Sequence, residues 1–261
     1  MNYPLGVLFG IIVMISWGLG KVIWKKLSFK LNSHTMLLFN YFFMVLFLFI
    51  FSAVTKNIKL ISLNDFLVVL LLGFFGFVAI LLFFIAFQFT QISLITALTA
   101  AYAPIALIIA IYFFKEKITL FLFIGIALVF IGVFLLSLKN NKLKLKSWKT
   151  TILLALIISL IWGFFYSFIK IPINTIGAIT TSLYVEGFIL LFSLIYFLIK
   201  NKNYKFIVKK EYTRLFVLAG FLNAVGSIFL NLSLDYGLIL ITAPIVSAAL
   251  MITAIFSRIF L

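Results

Sequence analysis

Residues 65–87 read DFLVVLLLGFFGFVAILLFFIAF, with a single charge, Asp65, at the head of an otherwise uncharged run. A helix needs about 20 apolar residues to cross the hydrocarbon core of a bilayer. Hydrocarbon offers no partner to free backbone N–H and C=O groups, so such a run closes its hydrogen bonds on itself as a helix. Reading outward from it, runs of the same kind recur at 4–24, 34–54, 92–114, 118–138, 151–170, 176–199, 213–234 and 237–259, which makes nine candidate spans. They break at charge clusters, around Lys56 to Lys59, Lys115-Glu116-Lys117, Lys139 to Lys149 and Lys200 to Arg214.

Composition agrees with the spans. The chain is 66% hydrophobic and 10% charged, with a mean hydropathy of +1.34, against roughly 45–50% apolar and about 25% charged in soluble domains. Too few charges remain to cover a water-facing surface, which excludes a soluble enzyme, a disordered chain and a fibrous repeat. An outer-membrane barrel would alternate apolar and polar residues, and these runs are continuous. The fold class is an all-α, polytopic membrane protein. The first span has no basic stretch before it and no plain A-x-A cleavage site, so it reads as a retained helix rather than a signal peptide.

There is no cysteine, and His34 is the only histidine, so neither a thiolate centre nor a zinc site is expected, and no cofactor. Twenty-one Lys+Arg against five Asp+Glu give a net charge of +16. The basic residues lie in short loops between spans, where they contact anionic lipid headgroups; a nucleic-acid partner is not expected. Nearly all of them are Lys, in a chain rich in Ile, Phe and Asn, which points to an AT-rich, prokaryotic genome and to the plasma (inner) membrane.

The chain repeats itself. Trp17-Gly18 in the first span matches Trp162-Gly163 in the sixth, and Asn40 in the second falls 146 positions before Glu186 in the seventh. Small residues with a proline recur from Thr96 to Pro104 and from Thr242 to Ala249. A repeat of about 145 residues holds five spans, an odd number, so the second copy enters the membrane upside down, as in many transporters. The repeats are expected at 1–140 (helices 1–5) and 148–261 (helices 6–9). The same offset puts the second charged hinge near 261–263, so a tenth helix is expected to be missing from this chain.

This plan resembles the drug/metabolite transporter superfamily and, within it, the ten-helix EamA-type permeases. The resemblance rests on four features. They are the W-G pair in the first helix of each half, the small, Pro-containing fourth helix leading into Lys115 to Thr119, the glycine-bearing fifth helix (Gly125, Gly132), and the duplication. It implies a secondary transporter, a permease that exports or exchanges small metabolites such as amino acids. Many members carry Arg in the second helix where this chain has Asn40.

Glu186 is the sharpest candidate. A charged group near the middle of a span costs at least about 2.5–3.5 kcal/mol, so it faces the bundle interior or a wet cavity and is expected protonated when unliganded. It reads either as a proton-coupling site or amine ligand, or as a structural carboxyl bonded to a neighbouring helix. Lys21 and Lys170 sit late in their spans and are expected to snorkel to the headgroups, the alternative being a pairing with Glu186 or an acidic substrate. Trp17 and Trp162 lie mid-helix, away from the interfacial belt, with Tyr166 one turn on; they line a cavity or pack a core. Thr99, Tyr102 and Thr242 are candidates for the pathway, and Pro104 and Pro244 for bends. Asn223, Ser227 and Asn231 share one face at four-residue spacing, to line a pathway or to bond between helices. No acid pair, Ser/His/Asp set or Gly-rich phosphate loop is present, so no enzyme activity is expected.

Orientation has two readings. Loops after the first, fifth and seventh spans hold fourteen Lys+Arg and those after the second, fourth and sixth hold five, which puts the N-terminus outside. The resemblance implies both termini in the cytoplasm. The expected function is alternating access at a midplane site between the repeats, with Glu186 coupling transport to protons or neutralising an amine, in a monomer or homodimer. The alternative is a membrane scaffold or assembly protein that transports nothing.

Overall fold

The computed structural model describes residues 2–90, 92–120, 123–128, 131, 145–200 and 210–260. These residues are helical almost throughout. We number the helices α1 (Tyr3–Ser28), α2 (Ser33–Val54), α3 (Leu63–Phe89), α4 (Ile92–Thr99), α5 (Tyr102–Tyr112), α6 (Leu145–Phe168), α7 (Lys170–Ile176), α8 (Ala178–Lys200), α9 (Lys210–Tyr236), α10 (Ile239–Ser247) and α11 (Ala249–Phe260). Among the described residues, eight stretches are long and apolar enough to cross a membrane. They correspond to eight of the nine expected spans. Of the remaining one, 118–138, only 118–120, 123–128 and 131 are described, and 120, 123–128 and 131 are helical.

Local chemistry sets the ends. Ser62 caps α3 by accepting the Asp65 N–H at 3.1 Å, and its hydroxyl donates to the Asp65 carboxylate at 2.7 Å, which satisfies one of the first-turn amides. Between α7 and α8 the chain turns at Gly177, whose φ of +89° favours a residue without a Cβ.

Three spans are broken. The fourth divides into α4 and α5 at residues 100–101, and the ninth into α10 and α11 at Ala248. The sixth kinks at Ile169, between α6 and α7. Pro104 is in the first turn of α5, where a missing N–H leaves no bond unmade. Pro244 is inside α10, and the break follows four residues later. At both breaks the ladder tightens: the N–H of Ala100 is shared between Thr96 and Ala97, and that of Ala248 between Pro244 and Ile245. The two breaks fall about 147 residues apart.

α1 packs against α9 and α6 against α3, while α2 packs against α8. Two seams carry the W-G glycines. At Gly18 a Cβ would stand 2.5 Å from the Ile252 Cβ and 3.0 Å from the Ala249 carbonyl. At Gly163 it would stand 2.6 Å from the Ile105 Cβ and 3.2 Å from the Tyr102 carbonyl. Each glycine thus lets a long helix approach the second half of a broken one. Gly163→Ala should overpack its seam and cost about 1–3 kcal/mol, measured as a lowered unfolding midpoint in detergent. Gly187→Ala is the control, because its Cβ would meet nothing within 4 Å; it should be neutral or stabilising by up to about 1 kcal/mol. Equal midpoints for the two variants would contradict this account of the motif.

One polar clamp joins the elements at one end of the bundle. Glu116 follows Lys115, which has a φ of +56°. Its carboxylate accepts from the Lys170 ammonium at 2.7 Å and from the first two N–H groups of α10, Ile239 at 3.1 Å and Leu240 at 3.0 Å. The acid neutralises the lysine and caps the positive end of a helix at once. Lys170 therefore does not reach for the headgroups as expected from sequence. The sixth span continues through α7 to Ile176, which places Lys170 at a kink, 8% exposed and within reach of a carboxylate.

Candidate functional site

This packing leaves a cavity in the middle of the bundle. Helical spacing supplies its walls. α1 presents Trp17, Lys21 and Trp24 on one face, and α6 presents Trp162, Phe165 and Tyr166, with Ile169 following at the break. α2 contributes Tyr41 and Met44, and α8 contributes Glu186 and Ile189. The broken helices contribute at their breaks, with Thr96, Thr99, Ala100 and Tyr102 on one side and Val246 and Ser247 on the other. Small residues at those positions let the backbone come close to the cavity.

Seven of the lining residues are aromatic. Tyr166 sits at the centre, its ring 4.9 Å from Tyr102, 5.9 Å from Trp17 and 6.3 Å from Trp162. Neighbours fix the rings in turn. The Trp17 indole lies directly on Gly226, where any Cβ would overlap it. The Tyr102 hydroxyl donates to the Ala243 carbonyl at 3.4 Å. Trp162 packs on Phe83 at 5.0 Å.

Glu186 is buried, and the Ser227 hydroxyl donates to its Oε1 at 2.8 Å. Its other oxygen, Oε2, has no hydrogen-bond partner. Thr96 Oγ1, also on the cavity wall, has none either. A buried polar atom without a partner is costly, and natural interiors rarely contain one without a reason. The Thr99 hydroxyl, by contrast, bonds back to the Ile95 and Thr96 carbonyls, so its polar group serves its own helix.

Of the residues singled out from sequence, Trp17, Lys21, Thr99, Tyr102, Trp162, Tyr166, Glu186 and Asn223 line this cavity. Asn40 and Ser227 stand one layer behind it. Asn40, fully buried, accepts from Trp24 Nε1 at 2.8 Å and from Asn223 Nδ2 at 3.2 Å, and so orients two wall residues. Ser227 reaches the cavity through Glu186. The polar face of α9 divides its work: Asn223 lines the cavity, whereas Asn231 bonds Ser182 at 2.7 Å on α8. Thr242 does not line the cavity, and its hydroxyl pairs with Ser233 at 2.8 Å.

The sequence reading favoured the headgroups for Lys21 and kept Glu186 or an acidic substrate as the alternative; Lys21 lines the cavity. The headgroups were favoured because the first span seemed to end near residue 24. α1 instead runs to Ser28, which leaves Lys21 two turns inside the helix. Its ammonium stands 5.8 Å above the Phe83 ring. The signal was available, since Lys21 follows Trp17 by four residues and shares its face. Trp24, Tyr41, Thr96 and Ser247 were missed, because nothing in a membrane span distinguishes a wall tyrosine from a packed one.

The model of the EamA-like transporter family matches residues 4–138. A solved structure described only as "Crystal structure of protein" is 12% identical and superposes with a TM-score of 0.75, covering 98% of this chain and 88% of that one. It shares the fold. No curated protein matches.

Proposed function

The chain belongs to the EamA-like transporter family, and on that premise we propose that it is a secondary transporter whose substrate site is the central cavity. The substrate is a small polar metabolite, an amino acid being the class that the resemblance implies, and it is exported or exchanged rather than chemically altered. The observation that carries the reading is Glu186: a buried carboxylate with one oxygen unpartnered, facing an aromatic-walled cavity. It offers an acceptor to an ammonium group or a docking point for a transported proton. Donors on the substrate would complete the bonds that Glu186 Oε2 and Thr96 Oγ1 lack.

The proposed units are two inverted repeats, 1–140 and 148–261, rocking about the cavity so that it faces each side of the membrane in turn. The paired breaks at 100–101 and 248 and the two glycine seams support that division. Discontinuous helices at the centre of a repeat pair are a recurrent way of building a substrate site. We assign the protein to the plasma membrane of a prokaryote, as a monomer or homodimer, with its more basic face to the anionic cytoplasmic leaflet.

The absence of native cysteine provides a direct test. Thr96→Cys adds a single thiol to the cavity wall at little cost in volume. A water-soluble thiol reagent should label it in folded protein, and a transported metabolite should slow the labelling. A folded Thr96→Cys protein that resists labelling until it is denatured would mean a dry, packed interior, as in a scaffold, and would sink the reading.

A further inference from the structure

We propose that Lys21 is the specificity-determining residue of the cavity: it binds the anionic end of a substrate whose ammonium end lies on Glu186, so that the site selects zwitterions over simple cations and simple anions. The inference rests on the reading of this cavity as the transport site for such a metabolite, and adds to it the residue that reads the substrate's anionic end.

A basic and an acidic side chain, Lys21 and Glu186, line one cavity, and they form no ion pair within 4.0 Å. Among the described residues the only ion pair within 4.0 Å is Lys170–Glu116. Lys21 stands on α1, with the Phe83 ring beneath its ammonium. Glu186 stands on α8, with Ser227 behind one oxygen and no partner for the other. An unpaired charge in a bundle interior is expensive, and membrane proteins retain one where it meets a partner or a ligand.

The ligand that answers both charges carries both. A simple amine would meet the Glu186 carboxylate but leave Lys21 uncompensated, and its own positive charge would be repelled by the ammonium. A simple carboxylate fails the same way at the other pole. A zwitterion places each charge opposite its complement, and the low dielectric of an aromatic-walled cavity strengthens both contacts. The rejection of singly charged molecules is thus built from repulsion as well as attraction, which is how specific sites discriminate. The rings of Trp17, Tyr166 and Trp162 then contact the uncharged remainder of the substrate.

The test compares neutral α-amino acids with the amines made from them by decarboxylation, which differ only in the carboxylate. Proteoliposomes containing wild-type, Lys21→Arg or Lys21→Met protein are loaded with equal amounts of each pair, and efflux is read by mass spectrometry. Wild type should release the amino acids in preference to the amines by at least about tenfold, the discrimination one charge-assisted contact supports. Lys21→Arg should keep that preference and Lys21→Met should lose it. A second readout covers a variant that folds but does not turn over: the rise in unfolding midpoint that each ligand induces. In Lys21→Met the rise caused by amino acids should fall to that caused by amines. Wild-type preference kept by Lys21→Met in both readouts, or a wild type that prefers amines, would overturn the assignment of Lys21. A wild type that releases neither class above empty liposomes would instead remove the transport reading on which it rests.

Discussion

Glu116→Ala should lower the stability of the folded protein by about 3–5 kcal/mol, the usual cost of removing one partner from a buried ion pair. The change strips three contacts at once. Lys170 would be left as an uncompensated cation among apolar side chains, and the Ile239 and Leu240 amides at the start of α10 would lose their carboxylate acceptor. Glu116→Gln keeps an oxygen for the amides but removes the charge, so its loss should be smaller. A double-mutant cycle separates the terms. If the pair carries most of the energy, Glu116→Ala combined with Lys170→Met should be no worse than Glu116→Ala alone, because the stranded charge is gone. The readout is the unfolding midpoint in detergent. A Glu116→Ala protein within about 1 kcal/mol of wild type, the range of an exposed salt bridge, would show that the clamp is solvated and that α10 is held by packing.

Glu186→Gln should have the largest effect on transport and almost none on folding. The amide is nearly isosteric and can still accept from Ser227. It removes a buried charge whose second oxygen has no partner, so the folded protein should be as stable as wild type or more so. Against an ammonium-bearing substrate the loss is different. Truncating one side of a desolvated charge pair costs about 2–5 kcal/mol, which corresponds to roughly a thirtyfold to a several-thousandfold weaker interaction. Uptake or efflux should therefore fall by at least about thirtyfold while the unfolding midpoint holds. Unchanged flux would return Glu186 to a structural role, as the partner of Ser227 between α8 and α9. Flux that survives but no longer responds to a pH gradient would assign the carboxylate to proton coupling rather than to substrate binding.

How much of this could be read from the sequence depends on which forces a residue reports. The spans were legible because hydrocarbon tolerates no free backbone group, so 65–87 could be little else than α3. The burial of Glu186 was legible for the same reason, since a charge in mid-span is too costly to face lipid. The W-G pairs were visible as a repeat, but not as seams, because a glycine records close approach without naming the helix that approaches. The breaks at 100–101 and 248 were hidden among Ala, Ser and Thr, which serve close packing and irregular backbone alike. Lys21 and Lys170 were misread through helix length. A lysine within a turn of a helix end reaches the headgroups, but α1 continues to Ser28 and α7 continues the sixth span to Ile176, so both ammonium groups stay inside. Glu116 was recognised as part of a charged hinge, while its partner amides lie more than 120 residues further along the chain. No local pattern reports a contact at that separation.

Selective flux through the central cavity is the claim on which the rest depends, and it can be measured without knowing the substrate. Proteoliposomes containing the protein are loaded with a mixed metabolite extract, a pH gradient is imposed, and the molecules that leave are identified by mass spectrometry beside empty liposomes. Release of a narrow class of small polar metabolites, carrying an ammonium group and lost in Glu186→Gln, is the expected result. No release beyond that of empty liposomes, from protein whose unfolding transition shows it to be folded, would contradict it.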